Sequence, residues 1–149
     1  MNAMPHDLII REITRKDAAA AARLTEELGY ATSVDVMQQR IECLRGLTHR
    51  AVYVACLSGE VVGWIDVNAA HHLQAEPRAE IGGLVVASEA RSGGVGRRLV
   101  ERAEEWAMQR GLKSILVRSQ VAREAAHRFY LREGYERIKT SAVFTKELG

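Results

Sequence analysis

The segment that most restricts the fold is Arg91-Ser92-Gly93-Gly94-Val95-Gly96-Arg97, which lies between an apolar run and an amphipathic one. Upstream, Ala79 to Val86 reads as a mostly apolar strand that carries Gly82-Gly83. Downstream, Val95, Leu99, Ala103 and Trp106 recur at steps of four, four and three, with Glu101, Glu104 and Glu105 opposite. Val95 to Arg110 is therefore an amphipathic helix, closed by Gly111. A strand that passes through a short glycine turn into such a helix has few ways to bury both apolar surfaces. The strand enters a sheet, and the helix lies on that sheet.

The rest of the chain supplies partners for this unit. Leu8 to Glu12 reads as a first strand, and Ala18 to Ala22 with Leu24 and Leu28 as a capped helix stopped by Gly29. Ser33 caps a second helix in which Val34, Met37, Ile41 and Leu44 share a face, and Gly46 ends it. Ala51 to Leu57 and Val61 to Val67 are β-rich runs joined by Ser58-Gly59-Glu60, short enough for an antiparallel hairpin. Asn68 to Arg78 reads as a loop, Ser114 to Arg118 as a buried strand, Ala122 to Glu133 as a helix ended by Gly134, and Tyr135 to Leu148 as one or two final strands. The expected fold is α/β: a mixed sheet of six to seven strands flanked by about four helices. No repeat or linker-like stretch interrupts it, so residues 1–149 are expected to form a single domain.

Composition matters here for what it excludes. A net charge of +2 and the lack of a dense basic run argue against nucleic acid as a partner, so any anion site is local. The longest apolar stretch, Gly82 to Ala87, is far short of a membrane span, and Met1 to Asp7 lacks a leader pattern. The expectation is a cytoplasmic protein without a membrane partner. Cys43 and Cys56 fit no metal spacing and read as free buried thiols. His71-His72 face apart and no carboxylate spacing completes a site, so no metal is expected.

The first N–H groups of a helix have no internal acceptor and carry partial positive charge. A glycine turn leading into a helix can therefore receive a phosphate or pyrophosphate, here with Arg91, Arg97 and Arg98 nearby. The same residues also suit a plain tight turn followed by a solvated helix face. No Lys follows the glycines as a P-loop requires, and Gly94-Val95-Gly96 is followed by Arg97-Arg98-Leu99, which breaks the dinucleotide fingerprint. What matches is R-x-x-G-x-G, as Arg91, Gly94 and Gly96, after a strand ending Leu84-Val85-Val86. This resembles the coenzyme A pyrophosphate loop of the GNAT superfamily of N-acetyltransferases. Ala79 to Val86 is similar to that family's fourth strand, Gly94 to Gly111 to its third helix, and Ala126-His127-Arg128-Phe129-Tyr130 with Gly134-Tyr135 to its fourth helix and next strand. Ile10 to Thr14 and Phe144 to Leu148 are in keeping with it.

The resemblance implies acetyl-CoA as co-substrate and transfer of its acetyl group to a primary amine of a small molecule, with the homodimer common among relatives. It implies a coenzyme site made of Leu84, Val85 and Val86 on the strand edge with Arg91, Ser92, Gly93, Gly94, Val95, Gly96 and Arg97. It implies Tyr130 as the acid that protonates the departing thiolate and Glu80 as a water-mediated base. It places Tyr30 at the acceptor pocket. Each residue also has a structural reading: Tyr130 as packed core, Glu80 as the partner of Arg78, Tyr30 as an exposed loop aromatic. Gly82-Gly83 marks either a bulge that opens a cleft or room for a bulky neighbour such as Trp106. Arg123 stands where many members have asparagine, a departure that admits a non-catalytic CoA-binding sensor. A macromolecular acceptor, such as a protein N-terminus, is a third reading.

Overall fold

Tyr53 and Val54 are neighbours on one strand, and both are buried although their side chains point to opposite faces. Val54 packs with Ile13, Ala18, Ala21, Ala22, Met37 and Ile41. The Arg102 guanidinium lies over the Tyr53 ring, 4.4 Å from the ring centroid. A strand buried on both faces needs a helical layer on each side, and that requirement sets the architecture.

The computed structural model describes residues 7–149. It divides into two compact units, the first ending at Val117 and the second running from Arg118 to Gly149. The first unit holds β1 (Leu8–Glu12), a 3-10 turn (Arg15–Asp17), α1 (Ala18–Glu27), α2 (Val34–Arg45), β2 (Arg50–Leu57), β3 (Glu60–Ala70), β4 (Arg78–Val86), α3 (Val95–Gln109) and β5 (Ile115–Val117). The sheet order is β1-β2-β3-β4-β5. The first four strands are antiparallel, and β5 joins β4 in parallel through the α3 crossover.

Local chemistry explains the boundaries. Asp17 accepts from the Thr14 N–H at 2.7 Å and forms a two-pronged pair with Arg11 at 2.8 and 2.9 Å, which locks the entry to α1. The Ser33 hydroxyl caps α2 by accepting from Val36 N–H at 3.2 Å. Met37 and Ile41 bury their side chains, whereas Val34 of the same stripe stays exposed in the first turn. On α3, Val95, Leu99, Val100, Ala103 and Trp106 are buried, and burial of a side chain the size of Leu99 contributes about 1.5–3 kcal/mol.

The second unit contains α4 (Glu124–Arg132), the turn through Gly134, and the segment to Gly149. Tyr130 packs edge-on against Phe129 and tilted against Tyr135, at centroid distances of 5.2 and 5.7 Å. Here the structure corrects the sequence reading. Residues 135–148 form no strand, so the described sheet has five strands rather than six or seven. Ile138, Val143, Phe144 and Leu148 are exposed, and a β-rich segment gains no packing energy where its apolar side chains meet no facing surface. Two smaller corrections concern β3, which continues to Ala70 into the expected loop, and Cys43, which is exposed while Cys56 is buried; both thiols are free. No helix among the described residues is long and apolar enough to cross a membrane.

Candidate functional site

The register between β3 and β4 breaks at one residue. Asp66 faces Gly83 and Val67 faces Ile81, so Gly82 is the extra residue of a β-bulge. The two glycines serve different neighbours. A Cβ on Gly83 would stand 2.9 Å from the Trp64 ring, and one on Gly82 would stand 3.0 Å from Asp66 Oδ2. The bulge and the bulky neighbour are therefore both present, although the neighbour is Trp64 rather than Trp106.

Beyond the bulge, among the described residues, no strand pairs with one edge of β4. Ala87 N–H donates to Val62 O at 2.8 Å, toward β3. By alternation the N–H and C=O groups of Leu84 and Val86 point to the opposite edge, where β5 pairs only with Ala79, Glu80 and Ile81. Arg91 Nε donates to Val86 O at 3.1 Å and its guanidinium lies 3.8 Å from Glu27, which pins the following loop to the strand end.

That loop brings Arg91, Ser92, Gly93, Gly94, Val95, Gly96 and Arg97 together at the start of α3. Ser92 and Gly94 both have positive φ, +70° and +83°, and Gly94 occupies the N-cap with open space where its Cβ would be. The N-cap Gly94 has no side chain to cap the helix, and the first N–H groups of a helix lack intrahelical acceptors. Val95 buries its side chain, leaving only its backbone for a ligand, and Arg97 pairs with Glu101 at 3.2 Å on the exposed face. The arrangement is suited to an anion such as a pyrophosphate.

A row of charged side chains crosses the sheet near the bulge. Val52, packed against the cluster of α1 and α2, faces Asp66; Arg50 faces Asn68, and Asn68 faces Glu80. Arg50, Asp66, Asn68, Arg78 and Glu80 thus share the face covered by α1 and α2. Glu80 is half-buried and pairs with Arg78 at 3.4 Å; Arg50 bonds Asp66 at 2.5 Å. Asp66 and Arg50 were missed by sequence reasoning, since strand register and the bulge bring Asp66 beside Gly82, with Arg50 bonded to Asp66.

Tyr130 belongs to the second unit. Burial pushes its phenol above the ordinary value of 10, and the charge of Arg123 partly opposes that shift. Arg123 itself is the N-cap residue of α4, exposed, with its carbonyl accepting from His127 N–H at 3.1 Å. Tyr30, in the α1–α2 connection, is 65% exposed. Among the described residues no group of three or more His, Cys, Asp or Glu side chains is placed to hold a metal ion.

Comparison with known proteins completes the picture. The chain is 41% identical over 96 residues to an aminoalkylphosphonate N-acetyltransferase of Salmonella typhimurium, covering 64% of this chain and 61% of that protein, so the match spans less than two thirds of the relative. It is 31% identical over 134 residues to an uncharacterized N-acetyltransferase of Chlorobaculum tepidum, covering 89% of this chain and 78% of that one. The fold superimposes on an aminoglycoside N-acetyltransferase in complex with CoA at a TM-score of 0.85 and 16% identity, covering 99% and 98% of the two chains. The profile of the acetyltransferase (GNAT) family matches residues 19–135, and on that match the chain belongs to the GNAT acetyltransferases.

Proposed function

We propose that this protein is an acetyl-CoA-dependent N-acetyltransferase that acts on a primary amine of a small molecule by direct attack in a ternary complex. One observation carries the reading: the open edge of Leu84–Val86 runs from the Gly82 bulge to the uncapped N-terminus of α3. An extended thioester arm adds to such an edge by backbone hydrogen bonds, and the uncapped helix start takes its pyrophosphate. The coenzyme supplies the activated acyl group, and this chain's residues bind and orient it and move protons. Leu84 and Val86 N–H groups are donors along the arm, with Val86 N–H next to the reacting carbonyl as the oxyanion donor. Gly94, Val95 and Gly96 offer backbone to the pyrophosphate, while Arg91, Ser92, Gly93 and Arg97 complete that end. Glu80 takes the proton of the attacking amine through water, and Tyr130, neutral at physiological pH, gives one to the departing thiolate. Tyr30 sits at the entrance to the acceptor.

The names of the Salmonella relative and of the CoA-bound structural neighbour support a small amine as acceptor and CoA as carrier. The family match runs through both compact units, which supports one catalytic domain over residues 1–149. We place the enzyme in the cytoplasm, and the exposed apolar side chains at 138–148 support a homodimer. The test is to incubate the protein with acetyl-CoA and a panel of primary amines. Thiol should appear in step with an amine that has gained one acetyl group. Acetyl-CoA that binds without any amine product forming would overturn the assignment.

A further inference from the structure

On the sheet face packed by α1 and α2, Val54 is fully enclosed and Trp64 is partly buried against the same cluster. Two residues further along β3 the cover ends, for the Asp66 side chain is 21% exposed. Gly82 lies inside β4, one residue past the last pair with β5, and it too is exposed. Solvent therefore reaches the sheet at the bulge. Asp66 Oδ2 stands at that point, 3.0 Å from where a Cβ on Gly82 would be.

The carboxylate is held from one side. Arg50 donates through a terminal nitrogen to Oδ1, while Oδ2 accepts no hydrogen bond among the described residues. Stability alone is a weak reason for this arrangement, because a half-buried ion pair adds little over apolar side chains of similar size. One oxygen fixed by an arginine and the other beside an accessible glycine suit a donor that arrives from outside. Charge decides which donor fits. Arg50 with Asp66, and Arg78 with Glu80, form a row whose formal charges cancel, so selection falls to the nearest free atom rather than to a long-range field. Oδ2 accepts and cannot donate. An ammonium N–H matches it, since a hydrogen bond between charged partners is about twice as strong as a neutral one, and an anionic group is repelled there.

We propose that Asp66 docks the acceptor in its ammonium form, with Arg50 as the positioning residue that holds the carboxylate beside the bulge. The inference rests on the acetyltransferase reading and adds a recognition residue to that same site. The cation docks on Oδ2, where the unpaired edge of β4 begins. Its proton then leaves through water to Glu80, which faces Asn68 two residues along β3, and the N–H electron pair stays on nitrogen for the attack. Asp66 binds and Glu80 takes the proton, so the two roles separate in KM and kcat.

Two variants probe the position from opposite strands. Asp66→Asn removes the charge and keeps the space, whereas Gly82→Ala keeps the charge and fills the space. With the primary amine that the wild type acetylates fastest, each should raise KM for the amine about 10- to 100-fold while kcat stays within about threefold. KM for acetyl-CoA should be unchanged in Asp66→Asn. Ethylamine, a cation at neutral pH, should bind the CoA-loaded wild type more tightly than 2,2,2-trifluoroethylamine, which is neutral there, and Asp66→Asn should erase that preference. If Asp66 serves only the fold, both variants lower the melting temperature and leave KM for the amine within about threefold of wild type; that result overturns the proposal and leaves the acetyltransferase reading intact. Should Asp66→Asn fail to fold, Gly82→Ala decides by the same KM criterion. If no amine is acetylated, calorimetric titration of ethylamine into the CoA-loaded proteins still decides. Binding weakened at least about tenfold by Asp66→Asn upholds the ammonium site, and equal binding, or none, overturns it.

Discussion

The carboxylate of Asp66 occupies the space beside Gly82 that any other residue's Cβ would need, with Oδ2 3.0 Å from that position. Next to it, a Cβ built on Gly83 would stand 2.9 Å from the Trp64 ring. The two contacts differ in how they can relax. Trp64 is a large, partly buried ring packed against the core beneath α1 and α2, whereas Asp66 is a short side chain that, among the described residues, is held by Arg50. Gly83→Ala should therefore destabilise the protein by about 1–3 kcal/mol in urea unfolding, as overpacking does, and Gly82→Ala by less. Equal losses for the two variants would mean that Trp64 is not the fixed neighbour.

Gly94→Ala isolates the helix-start contribution. Nothing blocks a Cβ there, but φ is +83°, and a non-glycine residue held in the left-handed region costs about 1–2 kcal/mol. The strain relaxes by rotating the turn away from the first N–H groups of α3. Calorimetric titration should show CoA affinity falling about tenfold, with helix content unchanged by circular dichroism.

Tyr130→Phe removes a proton donor and keeps the ring stacked on Phe129 and Tyr135. The expected effect is a loss of about 10²–10⁴ in kcat with little change in the dissociation constant of CoA. The pH profile carries a sign. Because burial raises the phenol above 10, the neutral, donating form persists through physiological pH and is lost only as pH rises past its folded pKa. An alkaline limb of the wild-type kcat profile that persists unchanged in the Phe variant would contradict the role of Tyr130.

Asp17 tests the scaffold independently of the chemistry. Burial alone would raise its pKa, yet the hydrogen bonds from Arg11 and Thr14 outweigh that and hold it below the ordinary 3.8. A carboxyl depressed in the folded state contributes stability above its unfolded pKa and loses it as pH falls through the folded value. Asp17→Asn should cost about 1–3 kcal/mol at pH 7, discounted because Arg11 is 41% exposed, and the gap to wild type should begin to narrow only as pH falls below the ordinary 3.8. Urea unfolding at pH 7 and pH 3 measures both.

The glycine turn, the β2–β3 hairpin and the faces of α2 and α3 were legible because they depend on local spacing: Ser33 three residues before Val36, or Leu99 four residues after Val95. Asp66 was not legible. Its place beside Gly82 follows from a register break between two strands, which no single-strand pattern encodes. Tyr135 to Leu148 read as one or two final strands, but pairing depends on a facing surface, and Val143 and Phe144 have none among the described residues. Cys43 follows buried Ile41 by two residues, about 200° round the helix, and so sits on the outward side of α2.

Amide hydrogen exchange with and without CoA tests the central claim most directly. If the coenzyme lies along the open edge of β4 and across the start of α3, exchange should slow in peptides covering Leu84–Val86 and Gly94–Gly96, while β1 and β2 are unaffected. CoA binding that protects neither segment would contradict the account.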